Sequence, residues 1–340
     1  MNGKNDMLKD KLDIIIITYN RIKYLKQTCE RILDVASPIK DFSITVIDNN
    51  SNDGTDKYAE SLSAVHKNIH YIKNKYNVGL SGNIIKAFEA ANKDYIWFLG
   101  DDDIYYFSHW TSVETAVNNC EKIICVSRYA LPDDKKNDIA YQLLQLTFIT
   151  GCIYSRELIN DTIIRSMHDN TYTLFPHILP IISYINQGGK IYVTDHAISN
   201  NGMKLEEKDV SYIRGVTDIS DLPDRTKDMT WILGYCNTIN MLDDKELISD
   251  CIKAAISYPD IYPDKNNFFA YLFYLENNKK NYFYEIIPLL SEEFKNEYNK
   301  YVLTQITWKN KVSKTGKEFT ALQTLWLFCY KLKNLIKGKL

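Results

Sequence analysis

The chain has 340 residues, of which 45% are hydrophobic, so it is long enough for one large or two ordinary domains with a buried core. Its formal net charge of −2 offers no basic surface to a nucleic-acid backbone, and we expect no nucleic-acid partner. The seven cysteines are scattered and form no CxxC pair, which argues against a structural zinc site and against a disulfide framework.

The first residues, MNGKNDMLKDKLD, are polar and charged, so no signal peptide is predicted. No run reaches the roughly 18 apolar residues that span a membrane. We therefore expect a cytoplasmic protein that is either soluble or attached to the inner face of the plasma membrane.

Short β-rich runs alternate with amphipathic runs over the first hundred residues. LDIIIIT, residues 12–18, predicts a strand buried on both faces of a parallel sheet. The elements predicted after it are a helix at 21–35, a strand at 42–48, a helix at 53–65, a strand at 69–72, a helix at 81–91 and a strand at 95–99. This alternation is typical of a doubly wound α/β fold, in which ligands bind beyond the carboxyl ends of the strands.

The rest of the chain is less regular and then helical. The elements predicted in it are strands at 123–129, 147–154 and 190–193 and helices at 175–186, 229–242, 244–257, 266–278, 282–308 and 318–337. The polar stretch DISDLPDRTKD, residues 218–228, interrupts the pattern. We therefore predict an α/β domain over residues 1–217 and a helical C-terminal domain over residues 218–340.

The first two strands end in polar turns. TYNR, residues 18–21, presents backbone N–H groups and short polar side chains at the start of a helix, although Asn20 alternatively serves only as the helix cap. DNNSNDGT, residues 48–55, forms either an Asx-type turn without function or a base-binding turn. A fixed donor and acceptor pair in such a turn discriminates a pyrimidine base well.

The segment NVGLSGN, residues 77–83, precedes the third predicted helix. Its two glycines allow a ligand to approach the backbone closely, and Ser81 or Asn83 can cap the helix. A diphosphate contact and a simple helix start are equally compatible with this pattern.

The strongest signal for chemistry is GDDD, residues 100–103, directly after the strand YIWFL. Three adjacent carboxylates repel one another, and a divalent cation relieves that repulsion. Mg²⁺ and Mn²⁺ prefer carboxylate oxygens together with substrate phosphates. The alternative is a solvated acidic turn that caps a helix beginning near Ser108, but the preceding strand favours a metal site.

TYNR, DNNSNDGT, NVGLSGN and FLGDDD occur in the order and spacing of family-two glycosyltransferases, which the chain resembles over residues 12–115 and more thinly to about residue 200. The resemblance implies the GT-A fold, a Rossmann-like and mostly parallel sheet with flanking helices, followed here by a helical C-terminal region. It also implies Mg²⁺ or Mn²⁺ held by Asp102 and Asp103 against a sugar-nucleotide diphosphate. The positions that it assigns to the nucleotide sugar are Thr18, Tyr19, Asn20, Arg21, Asp48, Asn49, Asn77, Gly79, Asn83 and Asp101.

The sequence departs from the family pattern at two positions. Asn49 stands where a second aspartate is common, and Ile17 stands where proline is common. Asp48 and Asn49 match the positions that contact the base, so the first departure leaves the nucleotide open. A UDP-sugar is the favoured donor.

The general base is the hardest residue to place. Many inverting members carry an acidic pair some three turns before a glycine, and counting back from Gly188 leads to residues 175–177, FPH. His177 is the expected base there, because imidazole titrates near neutral pH, and the alternative is a surface or core histidine. Asp169 and Asp195 are the reserve candidates. The segment at residues 151–156 resembles the strand and loop that face the acceptor.

Residues 319–337, FTALQTLWLFCYKLKNLIK, combine apolar and basic side chains. This pattern is typical of a helix that lies in a membrane interface with its lysines facing anionic headgroups. A last helix packed on its own domain, or a dimer contact, fits the same pattern.

The resemblance implies a metal-dependent, inverting glycosyltransferase of bacterial surface-polysaccharide synthesis, and we expect Asp102 and His177 to be its catalytic residues. The donor is a nucleotide sugar and the acceptor a glycan or lipid-linked glycan. The alternative is a catalytically silent sugar-nucleotide-binding or assembly subunit, favoured by the missing carboxylate near His177 and opposed by the intact GDDD. A nucleotidyltransferase is less favoured, because no basic triphosphate-binding loop follows the first strand.

Overall fold

The structure is a computed structural model that describes residues 8–127, 131–200, 202, 231–257, 265–278 and 280–313. The chain divides into two compact units, residues 1–261 and residues 262–340. The boundary predicted between residues 217 and 218 lies outside the described residues, as does the segment 319–337, so the proposals made for both stay predictions.

The first unit contains nine strands among its described residues. They are β1 (Leu12–Thr18), β2 (Ile44–Asp48), β3 (Ile69–Lys73), β4 (Tyr95–Gly100), β5 (Ile104–Tyr105), β6 (Ile123–Cys125), β7 (Cys152–Ser155), β8 (Tyr192–Val193) and β9 (Ser199–Asn200). Seven of them form one sheet in the order β3-β2-β1-β4-β7-β6-β8, and β5 pairs with β9 in a separate two-stranded sheet.

The helices follow the strands as an α/β pattern requires. They are α1 (Ile22–Ile32), α2 (Thr55–Val65), α3 (Gly79–Ala90), α4 (Thr111–Asn118), α5 (Ile139–Gln145), α6 (Asp161–Asp169), α7 (Leu179–Asn186), α8 (Trp231–Ile239) and α9 (Lys245–Ile256). This confirms the predicted α/β class with a mostly parallel sheet and flanking helices.

The pairing of β1 decides where the polar turns lie. β1 pairs in parallel with β2 on one side and with β4 on the other, with Thr18 opposite Asp48 and Ile17 opposite Gly100. β3 continues the parallel part beside β2. The turns that follow these four strands therefore meet at one edge of the sheet, the edge at which α/β folds bind ligands.

β7 brings a fifth segment to this edge from the opposite direction. It runs antiparallel to β4, with Trp97 opposite Ile153 and Tyr95 opposite Ser155. The residues before β7 consequently lie beside the carboxyl end of β4, while those after β7 lie at the far edge. The predicted strand 147–154 is thus shorter than expected, because residues 149–151 form a 3₁₀ turn.

The burial of β1 explains why its sequence is nearly all apolar, with Asp13 as the one charged residue. All seven of its residues are buried, since it has helices on both faces and strands on both edges. Leu25, Cys29 and Ile32 of α1 pack in the same buried cluster as Trp97 of β4. The six cysteines among the described residues are all free, and five of them are buried.

The starts of α3 and α7 differ from the sequence expectation for physical reasons that the structure shows. α3 begins at Gly79, two residues earlier than predicted, and no side chain caps it, so neither Ser81 nor Asn83 is its cap. α7 begins at Leu179, because Pro176 introduces a 3₁₀ turn over residues 176–178 before it.

Helices α8 and α9 belong to the first unit. Gly234 of α8 lies against the backbone carbonyl of Thr173, and a Cβ at position 234 would collide with that oxygen. α9 packs along α5, and Ile248, Cys251 and Ile252 of α9 are buried. The two helices therefore complete the α/β unit.

The second unit contains three described helices, α10 (Lys265–Asn278), α11 (Lys280–Ile286) and α12 (Glu292–Ser313). The single helix predicted at 282–308 is broken after Ile286, where Pro288 lacks the N–H that would continue it. Phe269 packs on Phe294 and Tyr298 across α10 and α12. Among the residues that the structure describes, no helix is long and apolar enough to cross a membrane.

Candidate functional site

The turns after β1 and β2 are tied together through Asn20. Its backbone N–H donates to Ser51 Oγ at 2.8 Å, and its Oδ1 accepts from the backbone N–H of Asn52 at 2.8 Å. Asn20 has a positive φ of 52°, a conformation that asparagine tolerates better than most residues. Asn20 therefore locks two turns together and is not the cap of α1.

Asp53 provides the hydrogen-bond acceptors at the starts of both α1 and α2. Its Oδ2 accepts from the backbone N–H of Ile22 at 2.9 Å, and its Oδ1 accepts from the backbone N–H of Thr55 at 3.1 Å. One carboxylate thus satisfies the first turns of both α1 and α2, where negative charge is also favoured by the helix dipole.

Arg21 and Thr18 hold the first two carboxylates of the acidic turn. Thr18 Oγ1 donates to Asp101 Oδ2 at 2.6 Å. The guanidinium of Arg21 reaches Asp101 Oδ1 at 3.2 Å through Nη1 and Asp102 Oδ2 at 2.5 Å through Nη2. Arg21 also lies 4.7 Å from the ring centroid of Tyr24, so its orientation is fixed from two directions.

Thr150 holds the third carboxylate, and the sequence analysis did not identify it. Thr150 Oγ1 donates to Asp103 Oδ2 at 2.5 Å and accepts from the backbone N–H of Gly100 at 2.9 Å. Gly100 is required because a Cβ at this position would collide with the Asp103 carboxylate. Asp103 therefore points back toward β4 and β7.

Burial controls the charge of these carboxylates. Desolvation raises the pKa of Asp101 to about 7, against the opposing effect of the Arg21 guanidinium. Desolvation, reinforced by the charge of Asp102, raises the pKa of Asp103 well above its usual range. The turn therefore resists carrying three full negative charges, which leaves it receptive to a cation.

The base-contact assignment of Asp48 is not supported by its position. Asp48 is completely buried, and its two oxygens accept from the backbone N–H of Ser51 at 2.8 Å and from Tyr71 Oη at 2.9 Å. Burial and the hydrogen bond to Asp48 raise the pKa of the Tyr71 hydroxyl, so it stays a donor. Asp48 thus holds the turn from inside.

Asn49 is likewise engaged inside the protein. It is 1% exposed, and its carboxamide bonds to groups of residues 74, 77, 78 and 79. This corrects the expectation that its amide faces a base. Asn83, also buried, accepts from Asn74 Nδ2 at 2.8 Å. Tyr19 and Gly79 are partly exposed, and a Cβ at Gly79 would meet nothing within 4 Å.

The position of His177 argues against its predicted role as the base. It is 2% exposed, and its Nε2 donates to the backbone carbonyl of Thr147 at 3.1 Å. Desolvation lowers the pKa of the ring to about 4. It lies in the 3₁₀ turn before α7, where Pro176, Ile178 and Leu179 are also buried, and is a core histidine.

The remaining acceptor-side residues fall into two groups. Every residue of β7 is buried, and Arg156 follows β7 at the edge opposite Gly100, since its N–H donates to the carbonyl of Asp94 before β4. This corrects the expectation that residues 151–156 face the acceptor. Asp169 is exposed at the end of α6, and Asp195 is exposed and pairs with Lys136 at 2.9 Å.

A divalent cation fits this turn through Asp102. The Asp102 side chain is 10% exposed, whereas that of Asp101 is 3% exposed. Among the described residues, no group of three or more His, Cys, Asp or Glu side chains is arranged to hold a metal ion. A cation bound here would take one or two protein carboxylates and complete its shell with ligand oxygens, the pattern expected of Mg²⁺ beside a diphosphate.

Comparison with known proteins gives a family for this arrangement. Residues 13–177 match the family model described as Glycosyl transferase family 2. The chain is 34% identical over 97 residues to the abequosyltransferase RfbV of Salmonella typhimurium, covering 27% of this chain and 28% of that protein. It is 33% identical over 94 residues to the GalNAc(5)-diNAcBac-PP-undecaprenol beta-1,3-glucosyltransferase of Campylobacter jejuni, covering 27% and 30%. The chain therefore spans only about three tenths of the length of these relatives.

Two solved structures share the fold. S. aureus TarS 1-349 in complex with UDP-GlcNAc has a TM-score of 0.58 at 13% identity, over 91% of this chain and 93% of that chain. Mannosyltransferase PcManGT from Pyrobaculum calidifontis, in complex with GDP-Man and Mn2+, has a TM-score of 0.51 at 12% identity, over 86% and 84%. At such identities the likeness concerns the fold.

Proposed function

We propose that this chain, which belongs to glycosyl transferase family 2 and has the GT-A fold, moves a sugar from a nucleotide-diphosphate donor to a hydroxyl group of a glycan. The observation that carries the proposal is the joining of the first and fourth strand ends, where Thr18 and Arg21 hold Asp101 and Asp102. This places an acidic turn beside a helix start at the carboxyl edge of four parallel strands, as a sugar-nucleotide diphosphate with its cation requires.

The donor proposed is a nucleotide sugar, with a UDP-sugar favoured. The solved structures of similar fold contain UDP-GlcNAc in one case and GDP-Man in the other, which supports the class of ligand. Since Asp48 and Asn49 are buried and bonded internally, base selection would come from other groups of the two turns.

The cofactor proposed is Mg²⁺ or Mn²⁺, held by Asp102, whereas Asp103, the second ligand expected from the sequence, is buried and turned inward onto Thr150. Such an ion supplies positive charge to the leaving diphosphate. Arg21 contributes charge from the protein itself, because its guanidinium already lies against Asp101 and Asp102. Charge arranged in advance stabilises the transition state at little reorganisation cost.

The acceptor proposed is a glycan or lipid-linked glycan of bacterial surface-polysaccharide synthesis. The names of the matched relatives support this. One is the GalNAc(5)-diNAcBac-PP-undecaprenol beta-1,3-glucosyltransferase, and another is the putative teichuronic acid biosynthesis glycosyltransferase TuaG of Bacillus subtilis. A lipid-linked acceptor agrees with a cytoplasmic location at the inner face of the plasma membrane.

Inversion at the anomeric carbon requires a base that takes the acceptor proton. Of the two reserve carboxylates, Asp195 is better placed than Asp169. It precedes β9, which pairs with β5 directly after the acidic turn. We expect Asp195→Asn to lower transfer by about 10²–10⁴-fold with donor binding unchanged, and Asp169→Asn to stay within fivefold. Equal transfer activity of the two variants would exclude Asp195 as the general base.

The test of the function is cleavage and transfer with a panel of UDP-, GDP-, CDP- and dTDP-sugars, with Mn²⁺ or EDTA. Asp102→Asn should lower turnover at least 100-fold without lowering the unfolding temperature, since it removes a ligand charge at constant volume. Asp41→Asn is the matched control, because Asp41 is exposed and lies before β2 at the opposite edge. Full activity of Asp102→Asn, or of the wild type in EDTA, would exclude this metal role.

The burial of His177 favours one alternative, a subunit that binds a sugar nucleotide without turnover. The same panel separates the two, because thermal stabilisation by a donor without any cleavage or transfer would support binding alone. A donor at 100 times its dissociation constant stabilises by about 2.7 kcal/mol, which such an assay detects.

A further inference from the structure

The side chain of Asn49, in the turn after β2, makes four hydrogen bonds to residues 74–79. Its Nδ2 donates to Asn77 Oδ1 at 2.7 Å and to the carbonyl of Gly79 at 3.2 Å. Its Oδ1 accepts from Asn74 Nδ2 at 3.0 Å and from the backbone N–H of Val78 at 3.0 Å. A carboxamide has two donor hydrogens and two acceptor positions, so its capacity is fully used.

Backbone groups fix the orientation of each amide in this network. The N–H of Val78 can only donate, so the atom of Asn49 facing it is oxygen, and the carbonyl of Gly79 can only accept, so the atom facing it is nitrogen. The N–H of Gly79 donates to Asn77 Oδ1 at 2.9 Å, which fixes Asn77 in the same way. Asn74 then has its nitrogen toward Asn49 and Asn83.

Asparagine at position 49 is therefore not replaceable by the aspartate that is common in the family. A carboxylate could still accept from Val78 and Asn74, but it has no hydrogen for Asn77 or Gly79. It would place a charged oxygen against two acceptor oxygens in a site that is 1% exposed. Buried acceptors left without donors cost stability, and like polarity adds repulsion.

We infer that Asn49 is a positioning residue for the donor, acting through residues 77–79 at the start of α3 and not through contact with the base. This inference rests on the proposed function. It gives a physical reason why residue 49 is asparagine and not the aspartate that is common in the family. The network couples the end of β2 to the end of β3 as well, because the N–H of Asn74 donates to the carbonyl of Asp48 at 2.9 Å. Asn74 is thus a second positioning residue that the sequence pattern did not indicate.

The test introduces the same negative charge at three asparagines. Asn49→Asp should raise the donor KM at least tenfold while kcat stays within threefold, because the base and metal groups are untouched. Asn119→Asp is the control for activity, since Asn119 is exposed directly after α4 and lies outside the network and outside both turns. It should leave the donor KM within twofold. An unchanged donor KM in Asn49→Asp would overturn the inference, and so would an equal rise in both variants.

A second measurement does not depend on turnover. Hydrogen exchange of the backbone N–H groups of residues 77–79 should accelerate at least tenfold in Asn49→Asp. It should stay at the wild-type rate in Asn77→Asp, because only Oδ1 of Asn77 is engaged and an aspartate keeps that acceptor. Equal exchange in the two variants would show that added charge, not the lost donor, matters, and would overturn the inference. A wild type that cleaves no sugar nucleotide would contradict the proposed function and leave this measurement standing.

Discussion

Arg21 sets the charge balance of the acidic turn, because its guanidinium contacts both Asp101 and Asp102. Its side chain is 17% exposed, so the pair of contacts is largely shielded from salt. Desolvation raises the pKa of Asp101 to about 7, and the Arg21 guanidinium opposes this rise without cancelling it. Substrate would thus meet a turn whose negative charge is already partly compensated.

His177 leads to a prediction about pH. Burial holds the pKa of its ring at about 4 in the folded chain, whereas the unfolded chain has the ordinary value of 6.5. As the pH falls from 6.5 toward 4, the unfolded chain binds a proton that the folded chain does not, so folding stability is lost in this window. The loss reaches about 3 kcal/mol at its lower end.

We expect His177→Gln to show a smaller loss of stability between pH 7 and pH 4.5 than the wild type, by about 2 kcal/mol. The amide of glutamine can keep the hydrogen bond to the Thr147 carbonyl but does not titrate. Urea unfolding at the two pH values measures the difference. His70→Gln, at an exposed position on β3, is the control and should follow the wild type. An identical pH dependence in His177→Gln would contradict the burial of a neutral ring.

At the scale of elements, α1 and α2 depend on one carboxylate. We expect Asp53→Ala to lower the free energy of unfolding by about 2 kcal/mol, because it removes the acceptor of both helix starts. Asp53→Asn should cost about half as much, since one oxygen remains. Urea unfolding of the three proteins gives the order, and a loss as large in Asp53→Asn as in Asp53→Ala would show that the charge, not the acceptor count, matters.

The strands were predictable because their signal is local. β1 contains four consecutive isoleucines, and the turns after β1, β2 and β4 each carry their polar residues within a few positions of the strand. Parallel pairing then brings those turns together without any further information. The order of the elements was therefore enough to predict the edge of the sheet at which the candidate site lies.

The partners inside the site were not predictable, because they come from distant parts of the chain. Thr150 reaches Asp103 across 47 residues, and Asn74 reaches Asn49 across 25. Neither threonine nor asparagine has a local pattern that announces such a bond. The burial of His177, which was expected to be the base, was not predictable for a related reason. The position of a residue in a motif carries no information about its burial.

At the scale of the molecule, the chain divides into one compact unit of residues 1–261 and another of residues 262–340. We expect a fragment of residues 1–261 to unfold cooperatively within about 5 °C of the full chain. A fragment of residues 1–217 should fail to fold, because it lacks α8, whose Gly234 lies against Thr173, and α9, which covers α5. Thermal unfolding followed by circular dichroism checks both expectations. A stable fragment of residues 1–217 would support the domain boundary that the sequence predicts between residues 217 and 218.

The central position of β1 also bears on how the protein is made. Thr18 of β1 bonds to Asp101, which is synthesised 83 residues later. Gly100 bonds to Thr150, which is synthesised another 50 residues later. At about 5–20 residues per second, a ribosome needs roughly 4 to 16 s to pass from Thr18 to Gly100, where β4 ends. For that time the isoleucine-rich β1 has no complete pair of neighbours, and such unpaired apolar strands aggregate readily. The segment of nascent chain most in need of a chaperone is therefore the one that ends in the TYNR turn.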